Sequence, residues 1–466
     1  MSRFRLQAPM RAPAIAAALT AAGDVASATS GISTTFDSYY ASNWRLSQSA
    51  ASRTYSLPSK PAKSTGYSSN ILTSPQSAAR FRRCTDIATE GVGGTRVRHE
   101  YSRRNPYNAD STYALMIASN GAWFVYNTET NAKVPEAGAF GDVATMGGDC
   151  EPCWHPTNPN KIRFTVNNGG MTWYEYDIST NTTSTLFTLT GKLPAGFTGA
   201  ARSWTKGEGR WSNDGRYIAL MVETDTFVHL GVVCFDLQTD SVIGYYVSST
   251  RPDHVSMAPL GGGWVAAYNA PLGTRYYPRN YTGDISGGTQ VHSTGEHSDL
   301  CIGANGTTEY FVYVDYNTGW VRAKSLDGVE SFDIQDVYPV PGESYALHIS
   351  GLISQGRPGH FILSTYNSYA DYGSTAPAGT ARYDYETIMI IEIKDTSIRK
   401  CYVVGEHHSR RWGTDDGLTY FTEPQATSNK DGTRIRFASN WIGRSGTTAH
   451  VEPEDYEYML PSFAID

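Results

Sequence analysis

No stretch of this 466-residue chain is both apolar enough and long enough to cross a bilayer. Charge is scarce as well: only 18% of residues are Asp, Glu, Lys or Arg, and the balance is −7. A phosphate-binding surface needs a basic excess, so nucleic acid is not the expected partner. Local arginines inside an acidic whole still leave room for an anionic polysaccharide. Cysteine is sparse, six in all, which does not settle the redox compartment. Cys150-Glu-Pro-Cys153 followed by His155 looks like half of a zinc site, but no second Cys/His pair follows at finger spacing. The plainer reading is that these residues are buried around the opening of a strand.

What the chain does have is tyrosine (31) and glycine (45), with an apolar fraction of 40%, modest but adequate for packing sheet on sheet. The first 35 residues differ from the rest. Arg3, Arg5 and Arg11 precede an Ala-rich run, and Ala26-Ser27-Ala28 offers small residues of the kind a signal peptidase cuts, whereas Asp24 interrupts the apolar stretch. A signal peptide and an unprocessed tail both stay open for 1–35. Residues 36–90 read as an irregular N-terminal extension, because 44–80 is rich in Ser, Pro, Tyr and Thr.

From about residue 97 onward one plan recurs. Glu423-Pro-Gln-Ala-Thr-Ser-Asn-Lys-Asp-Gly432 leads into Thr-Arg-Ile-Arg-Phe437, a strand, an Asp-Gly turn and a second strand with period-2 alternation. Gly209-Arg-Trp-Ser-Asn-Asp-Gly-Arg-Tyr-Ile-Ala-Leu220 repeats it almost position for position. His254-Val-Ser, His297-Ser-Asp and His348-Ile-Ser keep its opening, and Glu151-Pro-Cys and His99-Glu-Tyr do so more loosely. Seven copies, mostly roughly 40–55 residues apart, predict an all-β, seven-bladed β-propeller over 91–466. The segment 456–460 is expected to close it, with 387–393 as the outer strand of the sixth blade. The insertions 366–383 and 405–420 are expected to be loops at one mouth.

The innermost strand of every blade lines the central channel, so equivalent positions of successive repeats converge. Here they hold His99, Glu151, Arg210, His254, His297, His348 and Gln425, with His407-His408 just ahead of the last repeat. Imidazoles, an arginine and a carboxamide facing one channel suggest a metal site, an anion site or both. The bland alternative is that histidines fill a polar channel and hydrogen-bond across it.

These repeated openings, His-Val-Ser at 254–256, His-Ser-Asp at 297–299, His-Ile-Ser at 348–350 and Glu-Pro-Gln-Ala-x-Ser-x-x-Asp-Gly at 423–432, resemble the propeller-type polysaccharide lyases, the oligogalacturonate and ulvan lyases. The resemblance is architectural and runs from about residue 97 onward. It implies a divalent metal (Zn, Mn or Ca) held by His348, His408 and Gln425 with His297 as a fourth ligand, although the family's Gln-x-x-His-x-His spacing does not follow Gln425. It also implies a His/Tyr/Arg group in the channel, for which His99, Tyr101 and Arg210 are suitable.

The implied chemistry is β-elimination on a uronic-acid-containing polysaccharide. Removing the C5 proton loads charge onto the neighbouring carboxylate, so a cation must meet it while a base and an acid act on either side. Arg210 is the expected cation, His99 or His254 the base, and Tyr101 or a tyrosine of 276–281 the acid. His155, Tyr276, Tyr277 and Arg279 are the expected substrate contacts, since tyrosine faces suit sugar rings; ordinary packing of a long segment explains the tyrosines equally well. The enzyme would be secreted, periplasmic or virion-associated. The alternative is a non-catalytic glycan- or protein-binding propeller of a secreted or virion adhesion apparatus. Hydrolysis ranks behind both, because paired carboxylates are few at the repeat openings.

Overall fold

The computed structural model describes residues 57–74, 77, 79–134, 147–295, 297–337, 345–368, 386–394, 400–409, 420–441 and 451–460. Residues 1–35 and most of the two long insertions fall outside them. Seven antiparallel sheets follow one another along the chain and form a seven-bladed β-propeller. The innermost strands, blades 1 to 7, are Val97–Arg98, Cys153–Trp154, Ala200–Trp204, Val255–Met257, Ser298–Ile302, Tyr345–Ser350 and Thr427–Ser428. No described helix is long and apolar enough to cross a membrane.

The repeat recognised in the sequence is, in the structure, the turn from the innermost strand to its neighbour. In blade 3 the Asp214 carboxylate accepts from the Arg216 amide at 3.0 Å, and Gly215 adopts φ 72°. In blade 7 Asp431 accepts from the Thr433 amide at 3.0 Å, and Gly432 adopts φ 70°. Glycine is the residue that enters this left-handed region without strain. Between blades the sheets bury apolar clusters: Val312, Leu347 and Phe361 join blades 5 and 6, and Met257, Trp264 and Tyr277 lie where blades 3 and 4 meet. Each such side chain stabilises the ring by about 1.5–3 kcal/mol on burial.

Three details differ from the sequence expectation. The innermost strand of blade 3 is Ala200–Trp204, upstream of Arg210. The outer strand of blade 6 is Cys401–Glu406, with Thr387–Glu392 one place inward. Blade 7 is not finished by Glu454–Met459. Arg80–Arg83 pairs antiparallel along it, Arg80 opposite Met459 and Arg83 opposite Tyr456, and Leu72–Thr73 adds a further strand outside. Part of the extension over 36–90 therefore belongs to the ring. Joining the start of the chain to its end removes the open edge a terminal strand would leave.

That strand is hidden in the sequence because three of its four residues are arginines. The charge of two of them, Arg82 and Arg83, is met from Glu454–Met459. Arg82 donates from Nε and Nη2 to Glu457 at 2.9 and 2.7 Å, and Arg83 reaches Glu454 at 2.5 Å. Arg82 also donates to the Glu129 carbonyl at 3.1 Å, which ties blade 7 to blade 1.

Candidate active site at one mouth of the channel

All seven innermost strands run the same way, so their starts gather at one mouth and their ends at the other. Between Val97–Arg98 and the next strand, Tyr113–Ala118, blade 1 inserts residues 99–112. The first part of this segment crosses the channel. Arg103 contacts blades 4 and 5, Tyr101 contacts blade 6, and Arg104 donates to the Gly209 and Pro152 carbonyls at 2.8 and 2.9 Å.

Arg103 is the centre of the first mouth. Its Nη2 donates to Ser298 Oγ at 3.0 Å, its Nη1 lies 2.8 Å from Glu208 Oε2, and the same Nη1 donates to the His254 ring. A guanidinium has no acceptor, so the nitrogen facing it, Nε2, must carry a lone pair. The imidazole proton then sits on Nδ1, which faces Asp253 at 3.4 Å and Glu208 at 3.7 Å. Burial depresses Arg103, but Glu208, Tyr101, Asp299 and Asp253 outweigh it and hold the guanidinium above its ordinary value.

His297 and His348 lie beside this pair, their rings stacked 4.6 Å apart. Burial, with His348 next, lowers His297 to about 4, and burial, with Arg98 and Arg103 next, lowers His348 to about 3. His348 Nε2 is 2.8 Å from Glu423 Oε2, and its Nδ1 has no hydrogen-bond partner. Tyr101 meets His348 edge-on at 5.3 Å, and burial raises its hydroxyl well above the ordinary value, so it remains a proton donor.

The other expected site residues lie elsewhere or are engaged. His99 is fully buried, with Nδ1 on Asp455 at 2.5 Å and Nε2 on the Gln425 carbonyl at 2.8 Å, so both ring nitrogens belong to the blade 7–blade 1 junction. Arg210 donates to the Leu300 carbonyl and lies 3.3 Å from Asp299, not beside Glu151 or Glu208. Tyr276 and Tyr277 stand on Thr274–Pro278, the third strand of blade 4 and so roughly 10 Å out from the innermost strand. Tyr277 is core, its hydroxyl on the Ile285 carbonyl, and Arg279 is exposed and lies over the Tyr217 ring. His155 caps a turn at the opposite mouth, accepting from the Asn158 amide at 3.0 Å. Cys150 is buried in the core between blades 1 and 2 and Cys153 donates to the Arg163 carbonyl, as the packing reading expects.

The four expected metal ligands do not meet at one point. His297 and His348 come together, the Gln425 side-chain oxygen accepts from Arg98, and His408 packs on Trp441 with rings 4.5 Å apart. Among the described residues one group has metal-like spacing: ligand atoms of Glu208, Asp253 and His254 lie within 4.8 Å of one another. Arg103 already pairs with Glu208, and Lys206 with Asp253 at 2.8 Å, so two protein cations supply the charge a metal would bring. Neither set fits a divalent ion as the side chains stand.

No family model and no curated protein sequence matches the chain. Among solved structures it is similar to an oligogalacturonate lyase in complex with manganese, at TM-score 0.54 and 11% identity, covering 86% of this chain and 98% of that one. It is similar to an oligogalacturonate lyase from Vibrio parahaemolyticus at TM-score 0.53 and 10% identity, covering 84% and 96%. A WD40 domain from Neurospora crassa aligns at TM-score 0.43 and 9% identity, covering 82% and 98%. At these identities the likeness is one of fold.

Proposed function

We propose that this propeller is a polysaccharide lyase that cleaves a uronic-acid-containing chain by β-elimination, outside the cell or on a virion. The observation that carries the reading is the Arg103–His254 pair, with Tyr101 packed edge-on against neighbouring His348. Arg103, held by Glu208 and Ser298, is the fixed cation that meets the uronate carboxylate as charge develops on it. His254 takes the C5 proton on a ring nitrogen as Arg103 turns from it to the carboxylate. The C–H electrons become the new double bond, the C4–O bond breaks, and Tyr101 delivers a proton to the leaving oxygen. Arg103 takes the role first expected of Arg210, and His254 remains the base. No step passes through a metal. Two solved structures of this fold bear the name oligogalacturonate lyase, which agrees with an acidic saccharide as substrate.

A second reading rests on its own observation. The 99–107 segment fills the channel, and Arg98, His99 and Arg104 are met by protein acceptors, as in a static binding platform. In that reading the mouth binds an acidic glycan or a protein without breaking it.

Incubation with uronate polymers separates the two, because elimination creates an ultraviolet-absorbing unsaturated product. Arg103→Ala and His254→Gln should each lower its rate by about 10²-fold or more while circular dichroism and melting stay near wild type. Binding without any unsaturated product from the wild-type protein establishes the second reading instead.

A further inference from the structure

The channel has another mouth, where the innermost strands end, and the chemistry above does not use it. A recess lies there. Its border includes Arg103, Arg104, Arg210 and Lys430, with Trp154 and Trp211 as walls, and no described lining residue is a carboxylate. In a chain of net charge −7 that is an unusual concentration of positive charge.

Arg210 is the informative residue. It is 8% exposed, and its Nε and Nη1 have no hydrogen-bond partner. The carboxylate behind it, Asp299, is shared: Oδ1 accepts from the Leu300 amide at 2.7 Å and Oδ2 from the Gly351 amide at 2.7 Å. Arg210 therefore has only part of one counter-charge, and two of its donor nitrogens are withdrawn from water with nothing in exchange. A buried donor in that state costs free energy until an acceptor arrives. Lys430 stands in the same lining with its ammonium on the Pro156 carbonyl, and burial lowers its pKa. An arriving anion would relieve both groups. Asn213, in the same lining, has a side-chain oxygen without a partner, ready for a hydroxyl.

We propose that this recess binds an oxyanion carried on a sugar, a uronate carboxylate or a sulfate ester, with Arg210 and Lys430 as its charged contacts and the Trp154–Trp211 wall beside the ring. Arg103 touches both this recess and His254, whereas Arg210 and Lys430 take no part in the elimination, and binding there does not require that step.

Calorimetric titration of the full-length protein with galacturonate, inorganic sulfate and galactose tests it. Galacturonate and sulfate should bind and compete with each other, and galactose should not bind. Lys430→Met and Arg210→Lys, each checked for folding by circular dichroism, should weaken galacturonate at least tenfold, whereas His254→Gln should leave it unchanged. Binding that is lost in His254→Gln but kept in Lys430→Met would put the anion at the other mouth and overturn the proposal. Absence of binding by both anions would do so too.

Discussion

Arg436 shows what a single residue does at the ring-closing junction. It is fully buried, and its Nη1 donates to Asp455 Oδ2 at 2.6 Å. The other oxygen of Asp455 holds His99, and neighbouring Glu457 takes Arg82 together with the Tyr107 hydroxyl at 2.7 Å. Burial pushes the Asp455 carboxyl up, but His99 and Arg436 overcome it and hold it below its ordinary value. Apolar clusters join the blades elsewhere, whereas here charge meets charge. A buried pair is weak evidence of stability, since desolvation offsets attraction, yet removing one partner leaves the other uncompensated. Arg436→Met should therefore cost about 3–5 kcal/mol in urea unfolding, and adding Asp455→Asn should recover part of that loss. Equal losses in the single and double variants would show that the two charges do not depend on each other.

Among the elements, the innermost strands were the most legible. His254, His297 and His348 could be read from the sequence because each opens or lies within an innermost strand whose turn repeats. Arg103 could not, because it follows the loosely matching His99-Glu-Tyr opening of blade 1 at a place that no repeated residue marks. Tyr276 and Tyr277 misled for the opposite reason: aromatic enrichment marks a strand but not its distance from the axis. The first strands of blades 5 and 6 also make a pH prediction. His297 and His348 face each other, with Glu423, Arg98, Arg103 and Glu208 acting on them. Each is lowered from an unfolded value of 6.5, to about 4 and about 3. Below pH 6.5 the unfolded chain takes up these protons while the folded chain resists, so stability falls as pH drops through this window and is full above it. The loss should reach on the order of a few kcal/mol by pH 4. Replacing both histidines with glutamine should flatten urea midpoints measured between pH 6.5 and 4; an unchanged slope would assign acid sensitivity to other groups.

At the scale of the whole molecule, everything at either mouth depends on the ring being closed, and closure depends on a strand far from the repeats. Arg80–Arg83 meets Glu454–Met459 along four paired positions, Phe81 packs on Tyr458 at 5.2 Å between ring centres, and Arg82 reaches the blade 1 carbonyl of Glu129. The sequence made the propeller visible through its turns but not this strand, because buried arginines do not alternate like apolar residues and their partners lie near the other end of the chain. Removing residues through Arg83 should leave the backbone of Glu454–Met459 as an open edge and Glu457 without Arg82. An open edge pairs with other chains, and Glu457 would keep only the more distant Arg434 and Arg436, at 3.6 and 3.7 Å. The truncated protein should aggregate and lose cooperative unfolding, and Phe81→Asp in the full-length chain should reproduce much of that loss by placing a charge among Tyr458, Phe437 and Ile435. A truncated protein that elutes as a monomer and melts near the wild-type temperature would mean that blade 7 closes without this strand.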